Sequence, residues 1–280
     1  MIVIAPDELK TMLEALRLAY GYDFTDYAEV SVKRRVTSFM TKRKMESITT
    51  LQKNLLNDDK LFEEFIREIS VTVTEMFRDP DFYRALSEKV VRRLKTYPFI
   101  KIWLAGCATG EEVYSLAILM KEEGILNRSI IYATDINQGS LQIAREGIYP
   151  LEYMKDYTSN YQKAGGTSNF SDYYIAKFGS ALFDQSLREN VVFSSHNLAT
   201  DKSFNEFQMI ICRNVLIYFN HQLQSRVIEL FYDSLVPFGF LGLGSKESLL
   251  FAANRNDFTD VDRKEKIFMK EKANERFGPI

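Results

Sequence analysis

The hydrophobic pattern of this chain changes period once, near residue 75. Before that point apolar residues recur at three- and four-residue intervals. Leu9, Met12, Leu13, Leu16 and Tyr20 fall on one face of a helix that Pro6-Asp7 can open. Gly21 to Asp26 interrupts it, and a second helix is expected over Tyr27 to Arg43, with Val32, Val36, Phe39 and Met40 on one side. A third starts at Ser47 and a fourth covers Leu61 to Ile69. Strand alternation and internal repeats are both missing here, so residues 1–75 read as a small all-α domain. Ser70 to Pro80 is rich in β-branched residues and reads as an extended connector. Pro80 then opens a helix over Asp81 to Lys95, at a position proline tolerates.

From Phe99 onward short apolar runs alternate with amphipathic stretches, which implies a mainly parallel sheet flanked by helices. Ile100 to Ala105 reads as a buried strand and Gly106 to Gly110 as a tight turn. A helix follows with Val113, Leu116, Ala117 and Met120 on one face. Further strands are expected at Ser129 to Asp135, Val191 to Leu198, Phe207 to Cys212 and Phe238 to Gly244. Ser140 to Glu146 and Gln222 to Leu235 read as helices, and Lys266 to Lys270 as a last, antiparallel strand. Gly147 to Glu189 is less regular, with a turn at Gly165-Gly166 and short strands at Tyr173 to Ala176 and Ser180 to Phe183. The expected fold class is therefore α/β. A helical domain (1–75) precedes a sheet domain (76–280), in which 150–189 is a candidate inserted β-subdomain.

Composition narrows the partners. A chain of 280 residues has room for one large domain or a small one and a medium one. A net charge of -2 argues against general nucleic-acid binding. The two cysteines, Cys107 and Cys212, form no disulfide pattern, so a reducing cytoplasm is the expected compartment. The chain shows no signal peptide and no apolar run long enough to span a bilayer, so membrane insertion is not expected. Nothing demands more than a monomer. The two histidines, His196 and His221, lack metal-ligand spacing. The second helix carries Lys33, Arg34, Arg35, Lys42, Arg43 and Lys44 with no acid between Ser31 and Met45. Such a run is either a solvated face or a docking surface for an acidic partner.

Candidate chemistry gathers at strand ends, where open α/β sheets bind their ligands. The turn Gly106 to Gly110 is followed at once by Glu111 and Glu112. Carboxylates at a helix N-terminus repel a pyrophosphate, and the third glycine of the dinucleotide fingerprint is missing. A nucleoside without phosphates fits better, and S-adenosylmethionine is the commonest. Asp135 ends the next strand, 25 residues past Gly110, near the offset at which an acid meets a ribose. Asn197 can donate to and accept from an adenine edge while Leu198 packs on the ring, and Arg213-Asn214 ends the following strand. Arg78, in the connector, either pairs with a nearby acid or orients a carboxylate substrate.

These stretches carry a resemblance. The helical N-terminal part, Thr72-Val-Thr74-Glu-Met-Phe-Arg78, Ala105-Gly-Cys-Ala-Thr-Gly-Glu-Glu-Val-Tyr-Ser115, Ala133-Thr-Asp-Ile-Asn137 and Cys212-Arg-Asn-Val-Leu-Ile-Tyr-Phe219 together resemble the CheR family. Its members are chemotaxis receptor methyltransferases, which esterify receptor glutamates using S-adenosylmethionine and release S-adenosylhomocysteine. The match runs in order over roughly residues 8 to 270. It implies a Rossmann-like S-adenosylmethionine-dependent methyltransferase domain, with cofactor contacts at Thr72, Thr74, Arg78, Glu112, Asp135, Asn197, Leu198, Arg213 and Asn214. Arg78 and Tyr218 match the residues nearest the methyl group. The basic second helix, with Arg34, Arg35, Lys42 and Arg43, matches a receptor-docking helix. The insertion matches a β-subdomain that grips a receptor tail in some members. The implied partner is the cytoplasmic domain of a methyl-accepting chemotaxis receptor. Two departures stand out. Thr72 replaces the usual Asn and has one donor where the amide has two, and Met76-Phe77-Arg78 replaces Phe-Phe-Arg. A frequent proline is Val113 here. The alternatives are a non-catalytic cofactor-binding regulator and a methyltransferase acting on another substrate.

Overall fold

The computed structural model describes residues 4–70 and 74–271. Four helices open the chain: α1 (Pro6–Tyr20), α2 (Glu29–Lys42), α3 (Ile48–Asn57) and α4 (Asp59–Ile69). Local chemistry sets their ends. Pro6 occupies the first turn of α1, the Glu8 carboxylate accepts from the Ala5 N–H at 3.1 Å, and Gly21 stops the helix at φ +77°. Ser47 caps α3 by accepting from the Thr50 N–H, and Asp58 both ends α3 and caps α4. Met12, Leu16, Val36, Phe39, Leu51, Leu55 and Phe65 are fully buried between the helices. Helix α2 starts at Glu29, two residues later than its pattern suggests, because Tyr27 forms an isolated antiparallel bridge with Phe219.

Beyond the connector, α5 (Pro80–Ala85) runs through a π-helical stretch (Leu86–Val91) into a final turn, α6 (Arg92–Leu94). The sheet domain then proceeds as β1 (Ile100–Ala105), α7 (Glu111–Glu122), β2 (Ser129–Asp135) and α8 (Gln138–Glu146). The insertion contributes β3 (Ile148–Pro150), α9 (Met154–Lys163), β4 (Tyr174–Lys177) and β5 (Ser180–Phe183). The main sheet resumes with β6 (Val191–Ser195), β7 (Phe207–Cys212), α10 (His221–Ser234), β8 (Leu235–Leu243), β9 (Phe258–Asp262) and β10 (Ile267–Lys270). Seven strands pair in the order β6-β2-β1-β7-β8-β10-β9, parallel from β6 to β8 and antiparallel at β10 and β9. The chain passes from β1 to β2 on one side and returns to β7 on the other. That reversal of winding opens a crevice at the strand tips.

The expected α/β fold, with helices first, is the one found. Several elements differ in detail. The insertion forms the three-stranded sheet β3-β5-β4, but it also holds α9, whose Tyr157 and Tyr161 are buried against the main domain. Strand β6 stops at Ser195 rather than 198, because Asn197 turns the chain: its Oδ1 accepts from the Ala199 N–H at 3.0 Å. Strand β8 begins at Leu235, three residues early, and the edge strand β9 carries no clear alternation in its sequence. No helix among the described residues is long and apolar enough to cross a membrane.

The two parts of the chain are joined by backbone as well as by side chains. The Ala28 N–H donates to Tyr218 O at 2.8 Å and the Asn220 N–H to Asp26 O at 2.9 Å. Tyr27 packs edge-on against Phe219 at 4.9 Å, Arg226 pairs with Asp26, and Asn137 Nδ2 donates to Ser70 Oγ. Phe219 is 4 % exposed, so truncating it opens a cavity at this seam. Phe219→Ala is expected to cost about 3 kcal/mol or more in denaturant unfolding, and a loss under about 1 kcal/mol would show the seam to be loosely packed.

Candidate functional site

The tips of β1, β2 and β7 face the helical part across a crevice walled by both. At its floor, Gly106 (φ +80°) and Cys107 both donate their N–H to Thr134 O, at 2.8 and 2.9 Å. A Cβ on Gly106 would lie 2.4 Å from Val215 Cγ2, so only glycine lets the two loops meet there. The Asp135 carboxylate takes the Ala108 N–H at 2.9 Å on one oxygen and the Asn137 N–H at 2.8 Å on the other. Burial pushes this carboxyl up while the backbone donors pull it back. A carboxylate has more lone-pair sites than these backbone donors fill, which leaves room for a hydroxyl donor from the crevice.

The adjacent acids at the start of α7 separate. Glu112 lines the crevice, whereas Glu111 is 6 % exposed and packs away from it, accepting from Thr109 Oγ1 at 2.6 Å and facing Tyr157. Burial raises the Glu111 carboxyl to about 7.

Arg213 is held by three polar partners. Its Nη1 donates to Glu112 at 2.9 Å, while Nη2 donates to Asp79 at 2.6 Å and to Arg78 O at 3.1 Å. Its guanidinium also lies 4.2 Å over the Phe82 ring. Both terminal nitrogens are thus engaged within the protein, and the residue forms wall and anchor together. Thr74, Arg78, Asn197, Leu198, Asn214 and Tyr218 line the same crevice, the last two half-buried. Thr72 lies outside the described residues.

The basic stretch of α2 is less open than its sequence suggests. Lys42 pairs with Glu68 and Arg43 with Glu64, both acids on α4. Arg35 donates to Ile69 O at 2.9 Å and lies 4.9 Å over the Tyr218 ring. Arg34 remains exposed. Part of the run is thus neutralised within the protein, because α4 packs beside α2 and brings acids that lie twenty or more residues further along the chain.

Sequence reasoning missed several residues of the crevice and of its support. Tyr27, Ile69 and Ser70 reach the crevice from the helical part, and no local pattern marks them. Asp79, the partner of Arg213, was signalled only by standing next to Arg78. Glu247, just beyond β8, was overlooked although it follows a fifth strand tip at the same rim. The crevice residues fit a phosphate-free nucleoside: hydroxyl acceptors at Asp135, a glycine floor, and an acid at the helix start where a pyrophosphate would need bare N–H groups.

Comparison with known proteins identifies the relatives of this chain. Residues 72–267 match the family model described as the CheR methyltransferase SAM binding domain, and residues 7–70 match the CheR all-alpha domain. The chain is 48% identical over 94% of its length to Cher3 of Pseudomonas putida, a methyltransferase by name, covering 96% of that protein. It is 32% identical to a chemotaxis protein methyltransferase of Listeria innocua, over 84% of this chain and 87% of that one. Among solved structures, the N-methyltransferase NodS of Bradyrhizobium japonicum, bound to S-adenosyl-L-homocysteine, aligns over 71% of this chain and 89% of its own. At 12% identity and a TM-score of 0.40 that likeness adds nothing to the argument.

The split of the two acids makes a pH prediction. Glu111 holds its proton more tightly in the folded chain than in the unfolded one. Its contribution therefore becomes unfavourable as pH rises from about 4.5 to about 7 and stays so above. Glu111→Gln should flatten that part of the stability profile and raise stability at pH 8 by up to about 3 kcal/mol; an unchanged slope in urea unfolding at stepped pH would contradict it.

Proposed function

The chain belongs to the CheR methyltransferase family, and from that premise we propose that it methylates glutamate side chains on the cytoplasmic part of chemotaxis receptors. The observation that carries the reading is the crevice itself, where the described residues matching the family's cofactor contacts converge from four strand tips and the connector.

S-adenosylmethionine, when bound, supplies a methyl group activated on a positively charged sulfur. The protein's part is to bind, orient and exclude water. Asp135 accepts from ribose hydroxyls through the lone pairs that its backbone donors leave open. The side-chain amide of Asn197 meets the adenine edge, its Oδ1 already steadied by the Ala199 N–H, while Leu198 packs on the ring. Thr74 and Arg78 hold the amino-acid end or the incoming carboxylate, for which a guanidinium offers a two-pronged donor. Glu112, Arg213 and Asn214 close the wall beside them. Tyr218 orients the acceptor. A glutamate acceptor is ionised near neutral pH and needs no general base. Anion and cation become two neutral products, so a site drier than water favours the transfer once the carboxylate is positioned. Arg34, with Lys33 and Lys44, offers the positive field for an acidic receptor segment, while Lys42 and Arg43 first have to exchange Glu68 and Glu64 for it.

The test mixes the full chain with methyl-labelled cofactor and receptor cytoplasmic fragments. Base-labile label on the receptor is expected. Tight binding of S-adenosylhomocysteine by calorimetry without any transfer would instead mark a regulator that binds cofactor only. Within the active reading, Arg78→Ala should lower kcat/KM by about 100-fold or more. Tyr218→Phe should lower kcat by about tenfold if the hydroxyl takes part; a rate left untouched removes the hydroxyl from the mechanism.

A further inference from the structure

The turn after β7 carries Asn214 at φ +61°, a left-handed conformation that a side chain disfavours. It follows a buried strand and precedes the short helical turn Leu216–Tyr218, so its peptide N–H groups have no sheet or helix partner. One side chain takes them. Glu247 Oε1 accepts from the Val215 N–H at 2.8 Å and the Leu216 N–H at 2.7 Å. Its Oε2 accepts from the Asn214 N–H at 3.1 Å and the Gly244 N–H at 2.6 Å. Three successive N–H groups form a concave anion nest of the kind that elsewhere holds phosphate, filled here by the protein's own carboxylate. Glu247 is 4 % exposed and does not line the crevice. The approach is close: a Cβ on Gly244 would sit 2.8 Å from both Asn214 N and Glu247 Oε2.

We propose that Glu247 is a positioning residue for methyl transfer, which sets the Arg213–Leu216 turn and, through it, the crevice faces of Asn214 and Tyr218. The linkage to Tyr218 is direct, since the Tyr218 N–H donates to Val215 O at 3.1 Å. Val215, fixed by the carboxylate at its own N–H, is also the residue that meets the Gly106 floor. A shift of this turn therefore moves the floor and the transfer end together. Charge matters as well as size. A glutamine in the same place turns one acceptor oxygen into an NH2 group facing two N–H donors. An aspartate keeps the anion but falls one methylene short.

This inference rests on the methyltransferase reading, and the experiment separates the two. In the full chain, Glu247→Gln should lower kcat by about 10- to 100-fold and weaken S-adenosylhomocysteine binding, while KM for the receptor fragment stays within about twofold. Glu247→Asp should recover part of kcat. Wild-type turnover and cofactor affinity in Glu247→Gln at full folding, or an aspartate variant no better than the glutamine one, would overturn the proposal. If the variants do not fold, the unsubstituted protein decides: without cofactor, the Asn214, Val215 and Leu216 amides should resist hydrogen exchange, and rapid exchange there overturns the clamp. Failure of the unsubstituted protein to bind S-adenosylhomocysteine would sink the functional reading instead, and leaves the exchange result to judge the clamp alone.

Discussion

One buried guanidinium ties the site together. Arg213 leaves the tip of β7 with its side chain 3% exposed and reaches the start of α7 through Glu112 and the connector through Asp79 and Arg78 O. Taking a cation out of water costs several kcal/mol, and two carboxylates with a carbonyl and a ring face offset it. Three chain segments that share no secondary structure are thereby held at fixed separation. Removing one partner of such a set strands the others and typically costs about 3–5 kcal/mol. The arrangement also explains why α7 tolerates Glu112 in its first turn: the acid suits the helix dipole and answers the arginine at once.

Half of the eight non-glycine residues with positive φ among the described residues sit around the same place. Phe77, Asp79, Ala108 and Asn214 adopt positive φ without being glycine, and all four flank or line the crevice. Each such residue costs of order 1 kcal/mol or more and persists only where neighbours over-determine it. The neighbours are identifiable. Ser115 Oγ accepts from the Phe77 N–H, Asp135 from Ala108, and Glu247 from Asn214. Backbone donors that regular structure would have satisfied are satisfied instead by side chains from other elements, which leaves the loops free to turn sharply at the strand tips.

Legibility in the sequence followed the range of the forces involved. The helices of the first seventy residues, the β1–turn–α7 unit and the acid ending β2 were readable, because periodicity and a glycine turn are local signals. Helix α9 was hidden by its tyrosines and asparagine, which suit a loop as readily as a helix whose apolar face packs on Phe77 and Phe170. The partners of Lys42 and Arg43 lie on a neighbouring helix, and Glu247 stands more than thirty residues from three of the four amides it binds. Only folding brings these together. Family likeness named the crevice residues, yet it gave no sign that Arg213 is spoken for on both terminal nitrogens.

The backbone hydrogen bond between Ala28 and Tyr218 has a further consequence. Helix α2 begins one residue later, so the basic helix and an aromatic residue that lines the crevice share a backbone joint. A partner that seated on α2 and displaced it, even slightly, would carry Tyr218 along. Linkage then requires the reverse effect at equal strength: whatever nucleoside occupies the crevice sets the affinity of α2 for its partner by the same factor. Occupancy of the crevice would in that case be felt at the outer surface of the helical domain.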